Sequence, residues 1–209
     1  MVRWQRAHIR TVGRVIGWAF SLLCAGGSLG LAWFGPVVPL PTVVRAAGGW
    51  FAILILPLAS LLVPVLTLRR VPRKKRKVAW QSIVSLVAGM ALGFFGSAAG
   101  GAAALADRGV SADAVVVSAD YSSTNHCELR TVDGRDISPS LSESNGCWDS
   151  VSKGDELSVR YDPEGVASPD DGRPGSDTVF LATLFGAAVV MGTWGGVRQS
   201  KWDREYDDA

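Results

Sequence analysis

The chain alternates between long stretches without a charged residue and short segments rich in charge. Four stretches lack Asp, Glu, Lys and Arg over at least 19 residues: Val15–Phe34, Trp50–Leu68, a run within Val78–Ala106, and Thr178–Gly196. A helix of 19 residues is ~28 Å long, close to the ~30 Å hydrocarbon thickness of a bilayer. A surface helix of a soluble domain would instead show a polar stripe with a period of 3.6 residues. The pattern therefore predicts four transmembrane helices, at about 15–34, 50–68, 80–100 and 178–196.

Two of these runs carry features of their own. The second contains Pro57 and Pro64, seven residues apart and therefore on nearly the same face of a helix. Because neighbouring helices can satisfy the carbonyls that proline frees inside a membrane, a kinked span is expected rather than a broken one. The third run is longer than a bilayer requires, so its Gly/Ala-rich end at Gly96–Ala106 is expected to leave the membrane before Asp107.

The first run has to be distinguished from a cleaved signal peptide, since four arginines precede it. Its apolar stretch is longer than a signal requires, and no A-x-A site stands before Phe34. A lipoprotein signal at Cys24 is disfavoured because the large Leu23 occupies the position before the cysteine, where such signals need a small residue. We expect a retained transmembrane helix.

Basic residues predict the orientation of the spans, because Lys and Arg are enriched in cytoplasmic loops. The N-terminal segment has four arginines, and the loop between the second and third runs has seven basic residues: Arg69, Arg70, Arg73, Lys74, Lys75, Arg76 and Lys77. Both termini and this basic loop are therefore predicted to be cytoplasmic, and the loop is predicted to contact anionic lipid headgroups. This gives a segment 1–106 with three spans, an extracytoplasmic domain 107–176, and a segment 177–209 with the fourth span and a short tail.

Residues 107–176 differ in character from the rest of the chain, with 14 acidic and six basic residues and short alternating apolar patterns. Alternation of this kind predicts strands. They are expected at Ala114–Tyr121, Cys127–Val132, Arg135–Ile137 and Glu156–Tyr161, with a weaker candidate around Ser140–Trp148. The dipeptide Asp133-Gly134 suits a type I′ hairpin turn. The expected fold is a small all-β barrel or sandwich between the third and fourth helices.

Cys127 and Cys147 are the only cysteines of this segment, whereas Cys24 lies inside the first run and is expected to act as a small apolar residue. A cysteine pair in an oxidising compartment predicts a disulfide. Closing a loop of about 20 residues stabilises a small domain by ~3 kcal/mol in the chain-entropy model. The alternatives are a redox-active pair and a metal site with His126. The first normally uses C-x-x-C spacing, and the second needs further ligands.

The stretch from Lys153 to Pro163 reads KGDELSVRYDP. It resembles the signature G-D-x-[VL]-x-V-x-Y-D-P, which closes the β-domain in a large family of bacterial membrane proteins of unknown function. The matching positions are Gly154, Asp155, Val159, Tyr161, Asp162 and Pro163. The resemblance covers roughly 112–169 and implies a β-domain between transmembrane helices, without an activity. The chain departs from the family in carrying Cys127 and Cys147 and in having four spans.

The physical interpretation of this stretch is structural. Gly154-Asp155 is expected to form a tight turn, and Asp162-Pro163 to end strand pairing because proline cannot donate. Tyr161 is expected to pack while its hydroxyl finds a backbone partner. A catalytic role for Asp155, Asp162 and Glu164 is the alternative, although carboxylates at turns are usually solvated or cap the backbone. The acidic 169–172 stretch lacks the spacing of a calcium loop.

Small residues recur at four-residue steps in two of the runs. The third run has Ser85, Gly89, Gly93, Ser97 and Gly101, and the first has Gly13, Gly17, Ser21 and Ala25. Such ridges allow helix backbones to approach closely in a membrane. They are expected to pack the helices of one chain, with a homo-oligomer or another envelope protein as the alternative partner.

Composition supports a membrane protein and gives little indication of an activity. Hydrophobic residues make up 48%, charged residues 19%, and the mean hydropathy is +0.22. The net charge of +2 gives no reason to expect a nucleic-acid partner. Enzymatic motifs, metal sites and cofactor sites are not recognisable, and His8 and His126 are predicted to lie on opposite sides of the membrane. We therefore expect a binding or structural role at the cell envelope, with a channel or transporter accessory subunit as the second hypothesis and a membrane-bound enzyme as the third.

Overall fold

The structure is a computed structural model, and it describes residues 2–38, 40–66, 71–72, 77–122, 124–171 and 178–206. The chain forms two compact units. One, the helix unit, comprises Met1–Ala32, Thr42–Ser97 and Asp177–Ala209. The other, the strand unit, comprises Trp33–Pro41 and Ala98–Ser176.

Five α-helices are described: α1 (Val2–Val37), α2 (Thr42–Trp50), α3 (Leu56–Leu66), α4 (Trp80–Arg108) and α5 (Thr178–Glu205). A π-helical turn, Phe51–Ile55, joins α2 to α3, so that Thr42–Leu66 is continuous. Four helical segments of the described residues are long and apolar enough to cross a membrane: Gly17–Val37, Thr42–Leu66, Trp80–Arg108 and Thr178–Glu205. Each segment overlaps one of the four charge-free runs of the sequence, but the second begins at Thr42, eight residues before the predicted Trp50, and includes Arg45.

The π turn lies directly before Leu56 and Pro57. The Leu56 amide donates to the Phe51 carbonyl, which is a bond over five residues rather than four. In this register the Ala52 carbonyl would next accept from residue 57, but proline has no N–H to donate. The helix continues through Pro57 and Pro64, so the expectation that these prolines do not break it is confirmed.

The strand unit contains one antiparallel sheet of four strands in the order β3-β2-β1-β4. The strands are β1 (Val110–Asp120), β2 (His126–Thr131), β3 (Asp136–Ser142) and β4 (Glu156–Tyr161), and a short 3₁₀ helix, Glu143–Asn145, follows β3. The central β1 pairs with β4 from Val110 opposite Tyr161 and with β2 from Ala114 opposite Thr131.

Three expectations for this unit need correction. The strand placed at Arg135–Ile137 runs on to Ser142 and replaces the candidate around Ser140–Trp148. The β2–β3 connection is not a type I′ turn, because that turn needs a positive φ at both central residues, and among the described residues only glycines, here Gly134 with a φ of +84°, have a positive φ. Instead, Gly134 closes a three-residue loop in which its amide donates to the Thr131 carbonyl. Finally, the described strands form a single sheet rather than a closed barrel or a two-sheet sandwich.

One face of the sheet is buried because apolar residues alternate along the strands. The core consists of nine buried residues: Ala114, Val116, Cys127, Leu129, Ile137, Leu141, Cys147, Val151 and Val159. Cys127 and Cys147 form the predicted disulfide, with Cα atoms 5.7 Å apart, and both are fully buried. The disulfide therefore joins β2 to the loop after β3 from inside the core of a small unit.

Candidate functional site

Arg108, the last residue of α4, joins three parts of the strand unit. Its guanidinium donates to the Asp162 carboxylate through Nε (3.1 Å) and Nη2 (2.9 Å). It also donates to the carbonyls of Val37 and Pro36, each at 2.7 Å, where α1 ends. The last carbonyls of a helix lack partners within the helix and carry partial negative charge, so a guanidinium is well suited to them. We call these four residues the Arg108 junction.

The Asp162 carboxylate accepts five hydrogen bonds. Its side chain is fully buried, and besides Arg108 it accepts backbone amides of Glu164 (3.0 Å), Ala167 (3.0 Å) and Val166 (3.2 Å). Burial alone would raise the pKa of Asp162. The hydrogen bonds from Arg108 and from the amides of Ala167 and Glu164, together with the positive charge of Arg108, outweigh burial and lower the pKa to about 2. This carboxylate therefore stays ionised at neutral pH, which suits a structural anchor and not a proton donor.

A second arginine, Arg160 of β4, caps the C-terminal end of α4. Arg160 Nη2 donates to the Ala106 carbonyl at 3.2 Å, and Nε lies 3.4 Å from the Gly109 carbonyl. Gly109 is required sterically, because a Cβ there would lie 2.3 Å from the Leu105 carbonyl oxygen and 3.0 Å from Arg160 Nε. The C-terminal ends of both α1 and α4 therefore receive a guanidinium group.

The other signature residues have mainly structural positions. Gly154 adopts a φ of +97°, and its amide donates to the Val116 carbonyl, while Asp155 accepts the Ser152 amide at 2.7 Å. Val159 is buried in the core, and Pro163 is exposed in the turn after β4.

The expectation for Tyr161 is met only in part. Its ring packs against the core, but within the described residues its hydroxyl makes no hydrogen bond. The hydroxyl that bonds a backbone carbonyl belongs instead to Tyr121, which donates to Val151.

The cysteine pair and His126 do not form a common metal site. Cys127 is committed to the disulfide, and the side chain of the neighbouring His126 is exposed at the start of β2. Among the described residues, no three His, Cys, Asp or Glu side chains converge in a way that would hold a metal ion.

The predicted small-residue ridge of α4 is split between different surroundings. A Cβ on Gly93 would lie 2.9 Å from the Ala52 carbonyl oxygen, and one on Gly89 would lie 3.2 Å from the Pro57 ring, so both positions pack on the second span. Ser85 donates to the Ala188 carbonyl of α5 at 2.8 Å. Ser97, by contrast, bonds within its own helix, and a Cβ on Gly101 would meet nothing within 4 Å.

Two glycines outside that ridge, Gly96 and Gly100, make close approaches that the sequence analysis missed. A Cβ on Gly96 would lie 3.3 Å from the Ala32 Cβ, within the helix unit. A Cβ on Gly100 would lie 2.4 Å from the Trp33 carbonyl oxygen, within the strand unit. Gly96 and Gly100 also stand four residues apart in the sequence, each one position before a member of the predicted ridge, Ser97 and Gly101.

The interior of the helix unit contains a cavity of about 10 Å³, at the lower limit for one water molecule. It is lined by residues of α1, α3, α4 and α5. The hydroxyl groups in the lining belong to Ser21, Ser28, Ser60 and Ser85. Ser60 and Ser85 donate to backbone carbonyls, whereas the buried Ser28 hydroxyl makes no hydrogen bond within the described residues. The cavity is too small for an organic ligand.

The structure describes only part of the predicted lipid-binding loop, residues 71, 72 and 77. Arg69, Arg70, Arg73, Lys74, Lys75 and Arg76 lie outside the described residues, while Lys77 is described and exposed.

Comparison of the chain with family models, with curated proteins and with solved structures finds no match.

Proposed function

We propose that this chain is a multi-pass protein of a bacterial cell membrane that presents the strand unit outside the cytoplasm, for binding or for a structural role at the envelope. The four long apolar helices support membrane insertion, and the Lys/Arg distribution of the sequence supports the orientation. The resemblance of the Lys153–Pro163 stretch to a signature of bacterial membrane proteins is consistent with this proposal.

The observation that carries the proposed location is the buried disulfide between Cys127 and Cys147. Disulfides of this kind persist in oxidising compartments and are rare in the cytosol, where thiols are kept reduced. A 70-residue segment has little apolar surface to bury, so a cross-link contributes a large part of its stability. A disulfide-dependent unit between apolar helices is best suited to the outer side of the membrane.

The Arg108 junction supports a role in presentation. It connects the ends of α1 and α4 to the turn after β4 through charged hydrogen bonds within one compact unit. Charge-assisted bonds of this kind are about twice as strong as neutral ones. The strand unit therefore includes its own attachment to the helix ends, as expected for a domain that must remain folded next to a membrane surface.

Two measurements on cells that produce the full chain test the proposal. Alkaline extraction of membranes should leave the protein in the pellet, since apolar spans are not released by charge repulsion. Acid quenching followed by thiol labelling under denaturing conditions should then find one free thiol per chain, Cys24, and an oxidised Cys127–Cys147 pair. Release of the chain by alkali, or three free thiols per chain, would contradict the proposal.

The binding role needs a separate experiment. A photo-crosslinking residue at Trp148, which is 40% exposed beside the disulfide, reports what approaches the strand unit in intact membranes. A discrete adduct that disappears in the Cys127→Ser/Cys147→Ser variant would support recognition by the folded unit. Equal crosslinking of that unfolded control would argue for non-specific contact.

A further inference from the structure

The last turns of α5 form an open groove of about 340 Å³ that is separate from the sites described above. It is lined by Trp194, Val197, Arg198, Lys201, Trp202 and Glu205. These positions recur at steps of three or four residues, so they share one face of the helix. Two basic side chains therefore lie between two tryptophans along a single surface.

The depth of this face is set by the helix itself. Arg198 is the first charged residue of α5 and stands 20 positions after Thr178, where the helix begins. At 1.5 Å per residue this is ~30 Å, the thickness of the hydrocarbon core. If α5 spans a bilayer, Arg198 reaches the level of the lipid phosphates, with Trp194 one turn inside that level and Trp202 one turn outside it. Tryptophan is enriched at this boundary in membrane proteins.

The Arg198 side chain is oriented by its neighbours. Its guanidinium carbon lies 5.5 Å from the centre of the Trp202 ring, a cation–π arrangement. With the Gln81 amide turned so that its oxygen faces the donors, that oxygen accepts from Arg198 Nη1 at 3.1 Å and from the Trp80 indole at 3.2 Å. None of the carboxylates that the structure describes pairs with Arg198. One edge of the guanidinium is thus held, while its remaining N–H groups are available to a ligand.

The second cation of the groove is held only weakly. Lys201 Nζ lies 3.4 Å from Glu205 Oε1, and the two side chains are 68% and 56% exposed. Such exposed pairs contribute little and are readily exchanged for another anion. The groove therefore combines an oriented guanidinium, an exposed ammonium and two indole rings.

We propose that this groove binds the headgroup of an anionic phospholipid, with Arg198 and Lys201 on the phosphate, Trp194 against the glycerol and upper acyl region, and Trp202 on the aqueous side of the headgroup. The proposal rests on the membrane insertion proposed above. It adds a site on α5 that is distinct from the basic loop 69–77. The two cations exceed the single carboxylate of the groove, so a lipid with a net negative charge is favoured over a zwitterionic one.

Native mass spectrometry of the full-length protein in non-ionic detergent tests this site. Phosphatidylglycerol and phosphatidylcholine with identical acyl chains are titrated into the wild type and into Arg198→Gln, Lys201→Gln and Arg204→Gln variants. Arg204 is the matched control, because it is exposed on the same helix but does not line the groove. The basic loop 69–77 is intact in all four proteins, so its contribution cancels.

The wild type should prefer phosphatidylglycerol, and each groove variant should bind it about five-fold more weakly, as expected for one basic residue at a membrane surface. Arg204→Gln should change the affinity less than two-fold, and inorganic phosphate at the same concentration should not displace the lipid. Equal affinities in the groove variants and the control, or no preference of the wild type for phosphatidylglycerol, would overturn the proposal. A dimer that the groove variants dissociate would also overturn it, in favour of a second copy.

Two controls keep these outcomes interpretable. If Arg198→Gln loses the melting transition of the wild type, Lys201→Gln decides alone, since its side chain is 68% exposed and makes only the Glu205 contact. Alkaline extraction distinguishes the two levels of the argument. A chain released by alkali contradicts the membrane function itself, whereas a membrane-embedded chain without a charge-dependent lipid preference contradicts only the groove.

Discussion

Replacing Asp162 by asparagine tests the Arg108 junction with little change in volume. The variant removes the negative charge, leaves the Arg108 guanidinium only the Glu164 carboxylate, whose Oε2 lies 3.6 Å from Nε, and converts an acceptor of five hydrogen bonds into a group with one acceptor oxygen. The pKa of Asp162 is lowered from 3.8 to about 2. At 1.36 kcal/mol per pKa unit, the folded unit prefers the ionised form by about 2–3 kcal/mol. Breaking a buried ion pair costs ~3–5 kcal/mol, and the partial exposure of Arg108 explains a value below that range.

The disulfide provides the assay. Cys127 and Cys147 are fully buried, so a thiol reagent reduces them only when the strand unit opens. A loss of about 2–3 kcal/mol in opening free energy should therefore accelerate reduction by roughly 30- to 150-fold in the full-length protein. Mass spectrometry after alkylation follows the reaction, with Cys24 as the internal reference.

The matched control is Asp136→Asn. Asp136 forms the Arg130 ion pair, in which the side chains are 49% and 74% exposed, and such pairs contribute under ~1 kcal/mol. Reduction of this variant should stay within about five-fold of the wild type. If Asp162→Asn is reduced no faster than Asp136→Asn, the junction does not stabilise the strand unit and the reasoning is wrong.

Three further predictions concern pH and the helix unit. Because the pKa of Asp162 is lowered, its contribution to stability is present above the unfolded pKa near 4 and is lost as the pH falls towards 2; the melting temperature should fall more steeply over this window in the wild type than in Asp162→Asn. Gly93→Ala should destabilise the helix unit by ~1–3 kcal/mol in detergent, because its methyl group would lie 2.9 Å from a carbonyl oxygen, whereas Gly101→Ala should have almost no effect on the same thermal melt. Ser85→Ala removes a hydrogen bond between helices and should cost about 0.5–1 kcal/mol, while Ser28→Ala removes a hydroxyl that the structure leaves unbonded and should leave the melting temperature unchanged or raise it.

Features that depend on local pattern were predictable from the sequence. The absence of charge over 19 residues identifies the four helices that are long and apolar enough to cross a membrane, because crossing a bilayer by a helix needs that length. The disulfide was predictable because Cys127 and Cys147 are the only cysteines of their segment. The strand Glu156–Tyr161 was predicted with the bounds that the structure shows, since its apolar residues alternate without interruption.

Features that depend on distant parts of the chain were not predictable. Arg108 is separated from Asp162 by 54 positions and from Val37 by 71, and no local pattern links them. The prediction that strand pairing ends at Asp162 is correct. Its partner Arg108, however, lies at the end of α4, before the first strand of the sheet. The prediction of a type I′ turn at Asp133-Gly134 was wrong for a different reason. This dipeptide also fits a three-residue loop in which only the glycine adopts a positive φ.

Sidedness is the central claim, and labelling of single cysteines in intact cells tests it most directly. Val132→Cys lies at an exposed position of the strand unit, 71% accessible, and Ser200→Cys lies at an exposed position near the end of α5. A membrane-impermeant maleimide should label Val132→Cys in intact cells and Ser200→Cys only after lysis. Labelling of Ser200→Cys but not of Val132→Cys in intact cells would place the strand unit in the cytoplasm and contradict the account.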